Sequence, residues 1–322
     1  MKPKYDPFAL VFARGDAVTR LACLEFLGLR DSPRAKENLL GLIKGQRSNG
    51  SFPSRLDPAK WGMRETVRSA LWLLKLGMPS AGVNVDSAVR FVVGHQNPDG
   101  GWCENRALEI PPEKTELSNE RSVTWITADV VELLRGVGMA DSAACEAAVA
   151  WLRSMQNQRG GWPCYAVDGA DQRNDTGDPD STVQITFLLG EIYGEDDPVY
   201  QKGRELFERN LDACFQDAER GHRIRARDGE RVGLDAYGLT FLLLSSLVDP
   251  PRRLQHGYDV SDPRVKRMMQ ALIDVQRADG GWRPFWSDES SPVYTVLAVK
   301  TLVLSGMVAR ADLEGYVRAH VA

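Results

Sequence analysis

Two stretches of the sequence gather side chains that could do chemistry. The first is Asp178-Pro179-Asp180-Ser181-Thr182-Val183, two carboxylates and two hydroxyls heading an apolar run. Carboxylates there can do acid–base work, or cap a helix and sit in its positive first turn. The second is Arg220 to Tyr237, RGHRIRARDGERVGLDAY, which holds five arginines and one of only four histidines. Arg225, Arg227 and Arg231, with His222 and Tyr237, could grip an anionic group, because guanidinium forks and a helix N-terminus suit oxyanions. The same arginines could equally be a solvated loop paired with Asp217, Glu219 and Glu230. Trp125, Trp286 and Tyr294 could hold a cationic intermediate against their ring faces, or be core. Glu65, Glu120, Asp180 and Asp235 are also the kind of carboxylates that a glycosidase uses in pairs.

These residues stand at fixed places in a repeat. Four segments share one pattern: Gln46-Arg-Ser-Asn-Gly-Ser-Phe52, Gln96-Asn-Pro-Asp-Gly-Gly-Trp102, Gln156-Asn-Gln-Arg-Gly-Gly-Trp162 and Gln276-Arg-Ala-Asp-Gly-Gly-Trp282. The spacing of 60 from Gln96 to Gln156 doubles on the way to Gln276, which predicts a degenerate fifth copy at Gln216, with His222 in the aromatic slot. Each Gln closes an amphipathic run with apolar residues at i, i+3, i+4 and i+7. The glycines turn the chain, and a more apolar helix follows: 64–76, 122–136, 181–193, 235–247 and 293–305. An opening helix near 16–27 and a closing one near 311–319 make about twelve helices in six hairpins. The expected fold is all-α, an α6/α6 barrel in a single domain over 1–322. The helices after the loops form its inner ring, and those ending in Gln form the outer ring. The Gln amide is expected to satisfy backbone groups at helix ends, and the Trp to pack between hairpins.

Composition narrows the classes. Hydrophobic content of 43% and charged content of 26% fit a soluble globular chain, and a net charge of −4 offers no basic field for nucleic acid. Five cysteines, none in a C-x-x-C pair, fit a reduced, cytoplasmic setting. The first residues do not read as a signal peptide. No apolar run is long enough to span a bilayer, which leaves peripheral membrane contact open. Glu195-Asp196-Asp197-Pro198-Val199-Tyr200 lacks the last acid of a DDxxD metal motif and reads as a surface turn. No P-loop or dinucleotide fingerprint is present.

The helix–Gln–Gly-x-Trp pattern resembles the QW repeat of squalene–hopene and oxidosqualene cyclases, found in weaker form in class II diterpene cyclases and protein prenyltransferase β subunits. The resemblance implies a barrel with an apolar central cavity. It also implies a terpene cyclase that protonates a prenyl diphosphate or related isoprenoid. Asp178 to Val183 is similar to the D-x-D-D-T-A motif of class II cyclases, which implies Asp180 as general acid, Asp178 beside it, and Ser181 in place of the last Asp. Such an acid must be held neutral, and an apolar cavity disfavours its anion, while Ser181 could orient the proton. No cofactor is then required for the acid, although a diphosphate could bring Mg2+ with it. The arginine stretch lies where a prenyltransferase β subunit binds diphosphate. The zinc ligands of that enzyme are missing, since Leu234-Asp235-Ala236-Tyr237 and Ser291-Pro292-Val293-Tyr294 lack the Cys and His. Triterpene and class II diterpene cyclases usually carry a second barrel, and this chain has one barrel's worth of helices. Either a second subunit or homodimer closes the site, or the cavity is smaller, or the barrel does other work. The other readings are a non-catalytic barrel binding an isoprenoid, lipid or protein, and a carbohydrate-active α/α barrel.

Overall fold

The computed structural model of the chain describes residues 2–112, 114, 116–166, 178–220, 223–225, 231–233, 263–283 and 289–321. Twelve helices lie among them: α1 Pro7–Arg14, α2 Ala17–Phe26, α3 Pro33–Gly45, α4 Met63–Lys75, α5 Val83–Val93, α6 Thr124–Gly136, α7 Ala143–Ser154, α8 Pro179–Tyr193, α9 Pro198–Arg220, α10 Pro263–Asp274, α11 Pro292–Leu304 and α12 Arg310–Val321. Two short hairpins complete the described elements. In one, β1 Phe52–Pro53 pairs with β2 Trp61–Gly62; in the other, β3 Arg223–Arg225 pairs with β4 Arg231–Gly233. The expected inner helix over 235–247 lies outside the described residues. The chain falls into two compact units, 40–207 and 1–39 with 208–322.

In the first unit α4, α6 and α8 pack side by side, with α5 behind α4 and α7 behind α6. Apolar spacing drives this arrangement: Val67, Ala70 and Leu73 of α4, Ile126, Val130 and Leu134 of α6, and Ile185 and Leu189 of α8 are buried. In the second unit α11 packs on α1 and α2, and α12 covers α1. His320 of α12 meets Asp6 Oδ2 at 2.7 Å and stacks on Phe12.

The repeat turns are built alike. Each Gln donates Nε2 to the carbonyl four residues on and to a carbonyl at the head of the next outer helix. Gln96 reaches Gly100 O and Ala144 O, both at 2.9 Å; Gln156 reaches Gly160 O at 3.1 Å and Val199 O at 2.8 Å. Gln46 does the same to Gly50 and Asn84. Gln276 reaches Gly280 O at 2.8 Å and Tyr5 O at 3.0 Å, just before α1. In the second unit, then, α1 takes the place of the next outer helix, and the repeat continues from the end of the chain to its start. The helix α1 itself was not expected from the sequence.

The indole nitrogens of Trp102, Trp162 and Trp282 each donate to the carbonyl ten residues back, at 2.6–2.7 Å, and all three side chains are fully buried. The first Gly of each turn is required. Gly160 has φ +98°, and a Cβ there would lie 2.2 Å from Lys202 O. Gly160→Ala is therefore expected to cost about 1–3 kcal/mol, read as a lower urea midpoint. The copy expected at Gln216 is not built this way. The backbone stays helical through Arg220, because Gln-Asp-Ala-Glu-Arg favours helix and no Gly pair interrupts it.

Candidate active site

The heads of the inner helices are set by a threonine. Thr66, Thr127, Thr182 and Thr295 accept the backbone N–H of Phe52, Trp102, Trp162 and Trp282 at 3.0–3.1 Å. This bond fixes one register for α4, α6, α8 and α11 against their turns. Two residues before the Thr stand Arg64, Trp125, Asp180 and Val293. Arg64, Trp125 and Val293 are half-buried.

The caps of these helices differ. Asp178 caps α8, its Oδ2 accepting from Ser181 N at 2.9 Å and from the Ser181 hydroxyl at 2.8 Å. Ser181 is fully buried, and its proton goes to Asp178. Asp180 is in the first turn of α8, and its side chain lies outside what is described. At α6, Thr124 N–H donates to Cys164 O at 2.8 Å. At α4 a carboxylate does this work: Glu104, 2% exposed, accepts from Met63 N at 2.8 Å and Arg64 N at 3.3 Å.

Burial holds the Glu104 carboxyl above its ordinary value, and the nearby Glu65 charge adds to this, against the pull of Arg64 and the two backbone N–H groups. Glu104 therefore binds its proton more tightly folded than unfolded. Its contribution to stability is present below about pH 4.5 and is lost as pH rises through the folded-state value. Glu104→Gln is expected to flatten this fall. Equal slopes of stability against pH in urea melts of the two proteins would refute it.

The other sequence-derived residues are scattered. Trp125 donates Nε1 to Glu116 O at 3.0 Å, beside the head of α6. Tyr294 is half-buried in the first turn of α11. Arg225 and Arg231 face one another in the register of β3 and β4, and their side chains are not described. His222, Arg227, Tyr237 and Trp286 lie outside the described residues, as does Asp235. Glu120 is an exposed loop residue. Asp197 caps α9 and pairs with Arg153 at 2.9 Å, as a surface turn would. Among the described residues no group of three or more His, Cys, Asp or Glu is placed to hold a metal, and no helix is long and apolar enough to cross a membrane. Cys23, Cys103, Cys145 and Cys164 are buried free thiols.

Residues 11–172, half of the chain, match the squalene–hopene cyclase C-terminal domain family. The chain belongs to this family. The match ends ahead of Asp180. Within the family, the chain is 29% identical over 136 residues to a squalene–hopene cyclase of Zymomonas mobilis. That stretch is 40% of this chain and 19% of the relative's length. Among solved structures it resembles a type II terpene cyclase from Scytonema in complex with geranylgeranyl dihydroxybenzoate, its substrate. The TM-score is 0.55 at 15% identity, covering 94% of this chain and 88% of that one. It also resembles a family 76 glycoside hydrolase from a bovine Bacteroides thetaiotaomicron strain, with a TM-score of 0.52 at 11% identity, covering 92% and 69%. The family member thus has the α/α-barrel fold of the terpene cyclases, and that fold also serves sugar chemistry.

Proposed function

We propose that this chain is a terpene cyclase, one domain of the α/α-barrel type. It would cyclise a prenyl diphosphate or related isoprenoid by protonation, with Asp180 as the general acid. The observation that carries this reading is the shared register. Thr182 takes the Trp162 N–H as the other threonines take theirs, so Asp180 stands at the repeat position that Arg64, Trp125 and Val293 occupy, each half-buried at the head of an inner helix. There the positive end of α8 favours the carboxylate left after proton transfer. The O–H bond of Asp180 breaks and a C–H bond forms on the alkene; each further alkene then closes a C–C bond onto the cation, until a neighbouring C–H bond breaks and its proton passes to water. Asp178 and Ser181, bonded to each other, hold the first turn of α8 in place. The Scytonema cyclase, which takes an isoprenoid, supports the substrate class.

The test is incubation with geranyl, farnesyl and geranylgeranyl diphosphates, then phosphatase treatment and product analysis. A cyclised alcohol is expected. No turnover together with lipid binding would instead favour a non-catalytic barrel. A carbohydrate-active reading needs a pair of carboxylates, and of its candidates Glu120 is exposed on a loop and Glu65 is bonded to Arg64. Release of reducing sugar from an oligosaccharide panel would establish it.

A further inference from the structure

An inner helix facing a hydrocarbon should offer apolar side chains, yet α4 offers arginines. Arg64 and Arg68 lie four residues apart, on the same helix face, and both are half-buried. Arg64 donates Nε and Nη2 to Glu65 Oε1 at 2.9 and 2.7 Å. Arg55 approaches the same oxygen at 3.9 Å. Arg68 makes no hydrogen bond or ion pair with a described residue.

Two carboxylates adjoin Arg64. Glu104 is buried and holds the head of α4. The Glu65 side chain is only 10% exposed. Its second oxygen, Oε2, is buried without a partner, and it lies so close to Gly62 that a Cβ there would be 2.1 Å away. Arg64, its side chain 15% exposed, and the half-buried Arg68 are the cationic groups of this stretch of α4. Partial burial first, and then the like charges of Arg64 and Arg68, hold the Arg55 guanidinium below its ordinary value, against the pull of Glu65. Like charges one turn apart repel, and an oxygen-rich anion laid across them would relieve the repulsion through charge-assisted forks.

We propose that Arg64 and Arg68 of α4 bind the anionic end of the substrate, a diphosphate. This rests on the isoprenoid reading for the rest of the molecule, but not on Asp180. It is also distinct from the arginines of the β3–β4 hairpin.

The test is calorimetric titration of the full chain with inorganic diphosphate. Binding is expected to weaken at least about 10-fold in Arg68→Gln and in Arg64→Gln. Arg90→Gln, on outer helix α5, should bind as wild type does. Farnesyl diphosphate should share the Arg68 dependence, whereas farnesol should not. No binding of diphosphate by the wild-type chain would overturn the proposal. So would loss of binding in Arg225→Gln with Arg68→Gln unaffected. Thermal melts matching wild type show that each variant is folded; Arg68→Lys, which keeps the charge but not the fork, serves if Arg68→Gln melts early and should still bind more weakly. If diphosphate binds through Arg68 while no prenyl diphosphate is cyclised, the anion site stands and the cyclase reading falls.

Discussion

Trp102→Ala should lower folding stability by about 3–5 kcal/mol, read by urea denaturation. The side chain is fully buried, so truncation leaves a cavity between α5 and α6 that the surrounding helices can only partly close. The indole bond to Val92 O is lost as well. That carbonyl keeps the His95 N–H, so the lost bond itself is a term of only about 1 kcal/mol. Trp102→Phe separates the two effects, because it keeps most of the volume and should cost far less. Against a typical total of about 5–15 kcal/mol, the alanine variant would consume much of the margin. A loss below about 1 kcal/mol would mean that the turn does not hold the hairpins together.

Asp180→Asn should cut turnover by a factor of about 10²–10⁴, the usual scale for a general acid. Asparagine keeps the shape and the place in the helix but has no proton acidic enough to reach an alkene. Melting should be little changed, since Asp178 and Ser181 make the cap. Binding of inorganic diphosphate should persist. Product formation at near wild-type rate in Asp180→Asn would remove Asp180 from the chemistry.

The parts of the fold that could be read from the sequence are those whose signal is local and contiguous. Gln, Gly-Gly and Trp lie within seven residues, and their bonds close within the turn or onto one neighbour. The threonines were missed because loops of different length separate them from their turns, 14 residues from Phe52 to Thr66, 25 for Trp102, 20 for Trp162 and 13 for Trp282. No fixed spacing survives that variation. Glu104 was missed because a side chain does there what a backbone carbonyl does at α6. Arg64 and Arg68 read as the ordinary polar side of an amphipathic helix, and only their company with Arg55 and the buried Glu65 sets them apart. The cap role of Asp178 was legible from its type and place alone.

The bond from Gln276 to Tyr5 makes position along the gene partly arbitrary. His320 near the end of α12 meets Asp6 just before α1, so linking those two helices and opening the chain at the turn after α6 would keep the Gln276 turn beside α1. Two relatives could then carry the same acid on different ordinal repeats and still match in space. Counting repeats from the first residue is therefore a poor guide to which helix head holds the chemistry, and the partner each turn glutamine reaches is a better one.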